Sequence, residues 1–191
     1  MLIRSGAAIK ALLDDLVDFN RTRLGLGIKI EIEETDLAPL FTDEIVQHRI
    51  VHPECRLDLK LDGDLTGQWD GARLQPVLRN LLANAVAYCT RGEPVRVTAR
   101  GDDGSVRIDV ANHGPVIDPE TAKHIFDPLK RGAAPARHRA GQEGLGLGLY
   151  IVREIARSHG GSVGLRSDSE ETIFSVSLPR NSAAPDALRA T

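Results

Sequence analysis

The stretch GQEGLGLGLYIVREIARSHGG, residues 141–161, alternates three glycines with leucines, continues as an apolar run with helical spacing, and closes on a second glycine pair. Glycine lets a backbone approach a ligand closely and adopt dihedrals that other residues avoid. A helix that begins just after such a run turns free N–H groups and a partial positive charge toward an anion. The spacing here is GxGxG. The dinucleotide fingerprint is GxGxxG directly after a strand, and no strand pattern precedes residue 141. A P-loop ends in Lys-Ser/Thr, and this run does not. The stretch therefore reads as a phosphate-facing helix N-terminus of another kind.

Working outward, the long segment before it (127–144) holds Pro128, Gly132, Pro135, Gly141 and Gly144 with a basic run at 137–139, so it reads as a functional loop. After it, GSVGLRSD and ETIFSVSLP form a final hairpin. Upstream, PVRVTARGDDGSVRIDVAN (94–112) reads as another hairpin with turn chemistry at Gly101–Gly104. IKIEIEE (28–34) and CRLDLKLD (55–62) alternate with period two and predict strands. Asp36 and Asp70 stand where helix caps belong, before helices reaching about His48 and Tyr88. A short helix is expected over 118–125. Residues 2–23 carry Ile9, Leu12, Leu16 and Phe19 in helical steps, with Leu13 and Val17 widening the stripe, which predicts a bundle or dimer helix. Helices mix with antiparallel hairpins, so the expected fold is a two-layer α/β (α+β) sandwich: one mixed, mostly antiparallel sheet with helices on one face.

The 191 residues suit one domain with a small appendage, and 41% apolar and 27% charged residues suit an ordinary core. A net charge of −3 gives no reason to expect nucleic acid or an anionic membrane as partner. No apolar run approaches the roughly 20 residues that cross a bilayer. Two cysteines, Cys55 and Cys89, make no disulfide framework and read as reduced thiols.

Three further stretches carry chemistry. In LRNLLANAVAY (78–88), Asn80 and Asn84 lie one turn apart on a helix face opposite the leucines. Amide oxygens suit magnesium, and amide NH2 groups donate to phosphate; two solvated asparagines are the plain alternative. In DVANHGPVIDPE (109–120), a strand ends in Asn112, Gly114 and Pro115 turn the chain, and Ile117 offers an apolar wall. The Asn112 amide both donates and accepts and so suits a base edge, although on this stretch alone an ordinary strand-to-helix turn is the preferred reading. In IFDPLKRG (125–132), Phe126 and Leu129 are expected to anchor a loop that offers Lys130 and Arg131 to solvent or phosphate.

Taken in order and spacing, residues 70–179 resemble the ATP-binding domain of sensor histidine kinases, within the GHKL superfamily that includes type II topoisomerases, heat-shock chaperones and mismatch-repair ATPases. RNLLANA resembles the N box, ANHGPVIDPE the first glycine box, IFDPLKRG the F box, and GLGLGLYIVREIARSHGG the second glycine box. Residues 1–24 resemble the second helix of the dimerisation and phosphotransfer hairpin. The resemblance implies a Bergerat-type ATP-binding fold over 28–180 with a lid at 117–143, preceded by the bundle helix and followed by a frayed tail at 181–191. It implies ATP and Mg2+ as cofactors. Asn80 would hold magnesium, Asn84 would contact phosphates, and Tyr88 and Ile117 would line the nucleotide. Asn112 and Thr172 would face adenine, with Gly114 beside them. Lys130 and Arg131 would reach the terminal phosphates, and the run Gly144, Leu145, Gly146, Leu147, Gly148 would bring backbone to them. Asn80, Asn84 and Arg131 are the residues implied to be catalytic. The implied partners are a response regulator receiver domain and a second copy, as a homodimer through the hairpin. Neither nucleic acid nor direct membrane contact is implied, and the implied location is cytoplasmic.

Several positions depart from that pattern. Asn112 replaces the usual aspartate, Ala87 a common lysine, Leu129 the second phenylalanine of the F box, and Glu171 the glycine before Thr172. Pro76, one turn before Asn80, stands where a polar or acidic residue is usual; at about 3 kcal/mol inside a helix it predicts a distorted first turn. None of the six histidines has the phosphoacceptor context. The chain is therefore expected to be a C-terminal part that binds ATP without phosphorylating itself. Two alternatives remain: a nucleotide-binding pseudokinase module that acts by docking, and a stand-alone ATPase or serine kinase of the same superfamily.

Overall fold

The computed structural model describes residues 2–130 and 145–181, with side chains from residue 12 onward. Residues 131–143 of the expected lid, Arg131 among them, Gly144 and all but the first residue of the expected tail lie outside the described residues. The elements in chain order are α1 (Leu2–Arg23), β1 (Glu33–Asp36), α2 (Leu37–Val51), β2 (Leu57–Asp62), β3 (Thr66–Trp69), α3 (Gly71–Tyr88), β4 (Val95–Gly101), β5 (Ser105–Asn112), α4 (Pro119–His124), α5 (Gly148–Ser158), β6 (Ser162–Ser167) and β7 (Thr172–Pro179).

Five strands form the main sheet in the order β2-β4-β5-β7-β6. Only β2 and β4 pair in parallel; the other three neighbouring pairs are antiparallel. A parallel pair needs a crossover, and α3 lies on the connection between β2 and β4. Alternation sets the two faces. Val95, Val97 and Ala99 of β4, Val106, Ile108 and Val110 of β5, and Phe174, Val176 and Leu178 of β7 are buried. Between them Arg96, Arg100 and Arg107 stand exposed. Helices α2, α3 and α5 pack on the buried side, with α3 touching both α2 and α5. The sandwich with helices on one face is the expected architecture.

The sequence pattern misplaces one strand and misses another. Residues 28–32 are not strand, and β1 covers only Glu33–Asp36, paired antiparallel with β3. The alternation in 28–34 is nevertheless real: Ile28 is buried and Ile30 packs on the core. The Glu31 N–H donates to the Asp70 side chain (2.9 Å) instead of to a neighbouring strand. β3, Thr-Gly-Gln-Trp, carries no alternating apolar signal and exists because Trp69 is fully buried, its indole N–H donating to the Pro179 carbonyl (2.8 Å). α3 runs unbroken through Pro76, so the expected distortion of its first turn does not interrupt the helix.

Both cap expectations hold. The Asp36 carboxylate accepts from the Ala38 N–H, and Asp70 accepts from the Arg73 N–H at 3.0 Å. α5 ends in a Schellman turn: the Gly161 N–H bonds the Ala156 carbonyl (2.8 Å) and the Gly160 N–H the Arg157 carbonyl (2.9 Å). At that end His159 is fully buried. Its Nδ1–H donates to the Ile155 carbonyl (2.8 Å), and its Nε2 accepts from the Asp70 N–H (3.0 Å). This neutral tautomer ties the end of α5 to the start of α3. Burial lowers the His159 pKa from 6.5, outweighing the hydrogen bond to Ile155 and the Asp70 charge, which both raise it. The unfolded chain therefore takes a proton that the folded one refuses. Stability contributed by neutral His159 is complete above about pH 6.5 and declines as the pH falls below it, by up to about 1.4 kcal/mol per pH unit. Denaturant titrations between pH 7.5 and 5 check this. The His159→Gln variant keeps an acceptor for Asp70 but cannot titrate, so its stability should depend less on pH over that range.

Among the described side chains, α1 meets the domain chiefly toward its C-terminal end. Phe19 packs edge-to-face on Tyr150 (5.7 Å), the Tyr150 hydroxyl donates to the Thr22 oxygen (2.6 Å), and Arg73 pairs with buried Asp18 (2.6 Å). Leu12, Leu13, Leu16 and Val17 stay exposed.

Candidate functional site

The site lies at one end of the helix-covered face. The apolar stripes of β5 and β7 each finish in a polar residue, Asn112 and Thr172, and these two are cross-strand partners. Both are buried, Asn112 to 3% exposure. The Thr172 hydroxyl meets the Ser167 hydroxyl at 2.7 Å, and Ser167 Oγ accepts from the Ile117 N–H at 3.0 Å. The Asn112 amide has no hydrogen-bond partner among the described residues.

Gly114 sits beside this amide. A β-carbon there would stand 2.3 Å from the Tyr88 carbonyl oxygen and 3.0 Å from Asn112 Nδ2. Only glycine allows the turn after β5 to lie this close to the end of α3. Tyr88 itself is half-buried. Ile117 is half-buried against the core.

Asn80 and Asn84 lie one turn apart on α3, both half-buried. The Asn80 amide donates to the Gly148 carbonyl at 3.4 Å. A β-carbon on Gly148 would come within 3.3 Å of Asn80 Cγ. The N box and the second glycine run, 68 residues apart, therefore meet. Among the described residues no side chain caps α5 at its Leu147 N-cap. Its leading N–H groups, with the dipole's positive end, open next to the Asn80 amide.

Leu129, inside the expected lid, meets Gly146 beyond it. The Leu129 N–H donates to the Gly146 carbonyl at 3.0 Å. Gly146 has φ +71°, the left-handed region that a side chain disfavours, and lies against the Lys130 carbonyl. Leu129 itself takes φ +60°. Its side chain is 61% exposed, so it does not anchor the loop as expected; its backbone does. Phe126 does anchor, edge-to-face on Phe174 at 6.1 Å. Asp127 bonds His124 (2.8 Å) and Arg153 of α5 (3.3 Å), and the His124 hydrogen bond, followed by the Arg153 one, holds its carboxyl below the usual range. Lys130, within the expected lid, is exposed. Leu145 is exposed, whereas the Leu147 side chain is buried in the core, so only its backbone can face a ligand.

The cysteines are not candidates for chemistry. Burial pushes the Cys55 and Cys89 thiols up, away from thiolate. Among the described residues no cluster of three His, Cys, Asp or Glu side chains could hold a metal. The Asn80 and Asn84 amide oxygens, with ligand phosphates, would make a hard-oxygen set that suits magnesium. Sequence reasoning missed Ser167 and the Leu129–Gly146 bond, which depend on hairpin register and loop closure.

A family model described as histidine kinase-, DNA gyrase B- and HSP90-like ATPase matches residues 69–182. Among curated proteins, the bacteriophytochrome of Pseudomonas aeruginosa is 26% identical over 92% of this chain and 24% of its own length. Sensor histidine kinase TrcS of Mycobacterium tuberculosis is 33% identical over 88% of this chain and 33% of its own. The chain thus spans about a quarter to a third of these relatives. Among solved structures, the nucleotide-free catalytic domain of histidine kinase ThkA superposes with a TM-score of 0.67 at 26% identity, covering 79% of this chain and 99% of that one. Full-length ShkA in complex with AMPPNP gives 0.72 at 26% identity over 95% of this chain and 38% of that one.

Proposed function

We propose, from the premise that the chain belongs to the histidine kinase-, DNA gyrase B- and HSP90-like ATPase family, that it is the ATP-binding catalytic part of a sensor histidine kinase. It binds Mg-ATP and presents the terminal phosphoryl group to a histidine on a bundle helix outside this sequence, for relay to an aspartate of a response regulator. Bound ATP supplies the phosphoryl group, and magnesium neutralises its charge. The protein's part is positioning and electrostatics. Asn112 and Thr172 hold the base, with Gly114 opening the approach and Tyr88 and Ile117 as walls. Asn80 Oδ1 holds the metal and Asn84 contacts the phosphates. The open N–H groups at the start of α5 face the phosphate charge, and Lys130 and Arg131 neutralise it from the lid. The exposed Leu12, Leu13, Leu16 and Val17 of α1 support homodimerisation through the hairpin, and the domain works in the cytoplasm, where ATP is supplied.

The observation that carries the reading is the meeting of the Asn80 amide with the uncapped start of α5. The test mixes the chain with a hairpin helix that bears an acceptor histidine, using ATP labelled at the γ-phosphate. Label should appear on the added helix, labile to acid and stable to base, and not on this chain. ATP binding without transfer would instead favour a docking module, and label on this chain alone would overturn the assignment.

A further inference from the structure

We infer that the base-reading floor formed by Asn112, Thr172 and Ser167 accepts 6-oxopurine nucleotides as well as 6-aminopurine ones. This rests on reading the site as a nucleotide site. The floor has no fixed donor–acceptor sense. Asn112 is an amide, buried to 3% exposure, and no partner among the described residues orients it. A half-turn about its last side-chain bond exchanges oxygen and NH2. Gly114 leaves room beside it, because the Asn112 nitrogen lies 3.0 Å from where a β-carbon would be.

The hydroxyl pair is equally reversible. At 2.7 Å either Ser167 or Thr172 can be the donor. Ser167 Oγ already accepts from the Ile117 N–H, and that bond survives both arrangements because the oxygen has a second lone pair. If Thr172 donates to Ser167, Thr172 presents an acceptor to the base. If Ser167 donates to Thr172, Thr172 presents its proton. Adenine offers a donor at its 6-position and an acceptor at N1; hypoxanthine and guanine offer the reverse. With the 6-position toward residue 112, amide and hydroxyl can match either edge. A carboxylate at 112 would only accept, and would face the 6-oxo lone pairs unpaired. Sites with fixed hydrogen-bonding sense reject mismatched analogues strongly, and this one lacks that sense.

The probe is inosine triphosphate, which differs from ATP only at the 6-position and N1. Calorimetric titration of the chain with each, in magnesium, should give dissociation constants within about tenfold of one another. In Asn112→Asp, the preference for ATP over inosine triphosphate should grow by about tenfold or more. Thermal melting verifies that the variant folds, and the wild-type ratio stands whether or not it does. Discrimination beyond about a hundredfold in the wild type, or an unchanged ratio in a folded Asn112→Asp, overturns the inference while leaving ATP binding intact. Failure of the wild type to bind either nucleotide overturns the nucleotide site itself, and the inference with it.

Discussion

Replacing Asn80 with alanine is expected to abolish the magnesium dependence of ATP binding, with affinity in magnesium falling by about tenfold or more and affinity in chelator barely changing. The fold should tolerate the change. Alanine is the better helix former, and the one hydrogen bond lost, to the Gly148 carbonyl, is long at 3.4 Å. Asn80→Asp separates the two roles of the side chain. It keeps a hard oxygen for the metal but cannot donate to Gly148. Magnesium-dependent affinity restored in Asn80→Asp assigns the role to Oδ1. Magnesium dependence unchanged in Asn80→Ala would remove Asn80 from the metal site.

The second large effect is expected at Gly114. An alanine β-carbon there would stand 2.3 Å from the Tyr88 carbonyl, a backbone atom that moves only if the end of α3 moves. That end is also held by the Thr90 N–H donating to the His113 carbonyl. Overpacking of this kind costs about 1–3 kcal/mol. The displacement falls on the Asn112 amide and on Tyr88, so Gly114→Ala should lower the melting temperature and weaken ATP by about tenfold or more together. A variant with wild-type melting and wild-type ATP affinity would show that the close approach plays no part in the site.

The stretches of the candidate site are legible because each rests on a local rule. The Asn80–Asn84 spacing is a helix-face rule, the caps at Asp36 and Asp70 are single-residue rules, and the glycine run announces a close-approach site by composition alone. The errors came where a backbone or side chain found a distant partner. Residues 28–32 alternate like a strand, but Glu31 bonds the Asp70 carboxylate 39 residues away. β3 has no apolar period, and a buried Trp69 bonded to Pro179 places it. The apolar Leu129 reads as a loop anchor, yet its side chain is exposed and its amide makes the contact.

By itself, then, the sequence determined the class of fold, the two alternating faces of the main sheet and the identity of the motifs, since hydrophobic period, caps and turns are set by residues a few positions apart. Only the tertiary structure decided that Asn80 meets the start of α5, that Leu129 bonds Gly146, and that Asn112 is buried without a partner among the described residues beside a reversible Ser167–Thr172 pair. Those facts depend on sheet register and on how α3 and α5 pack, which long-range contacts set and no local spacing records.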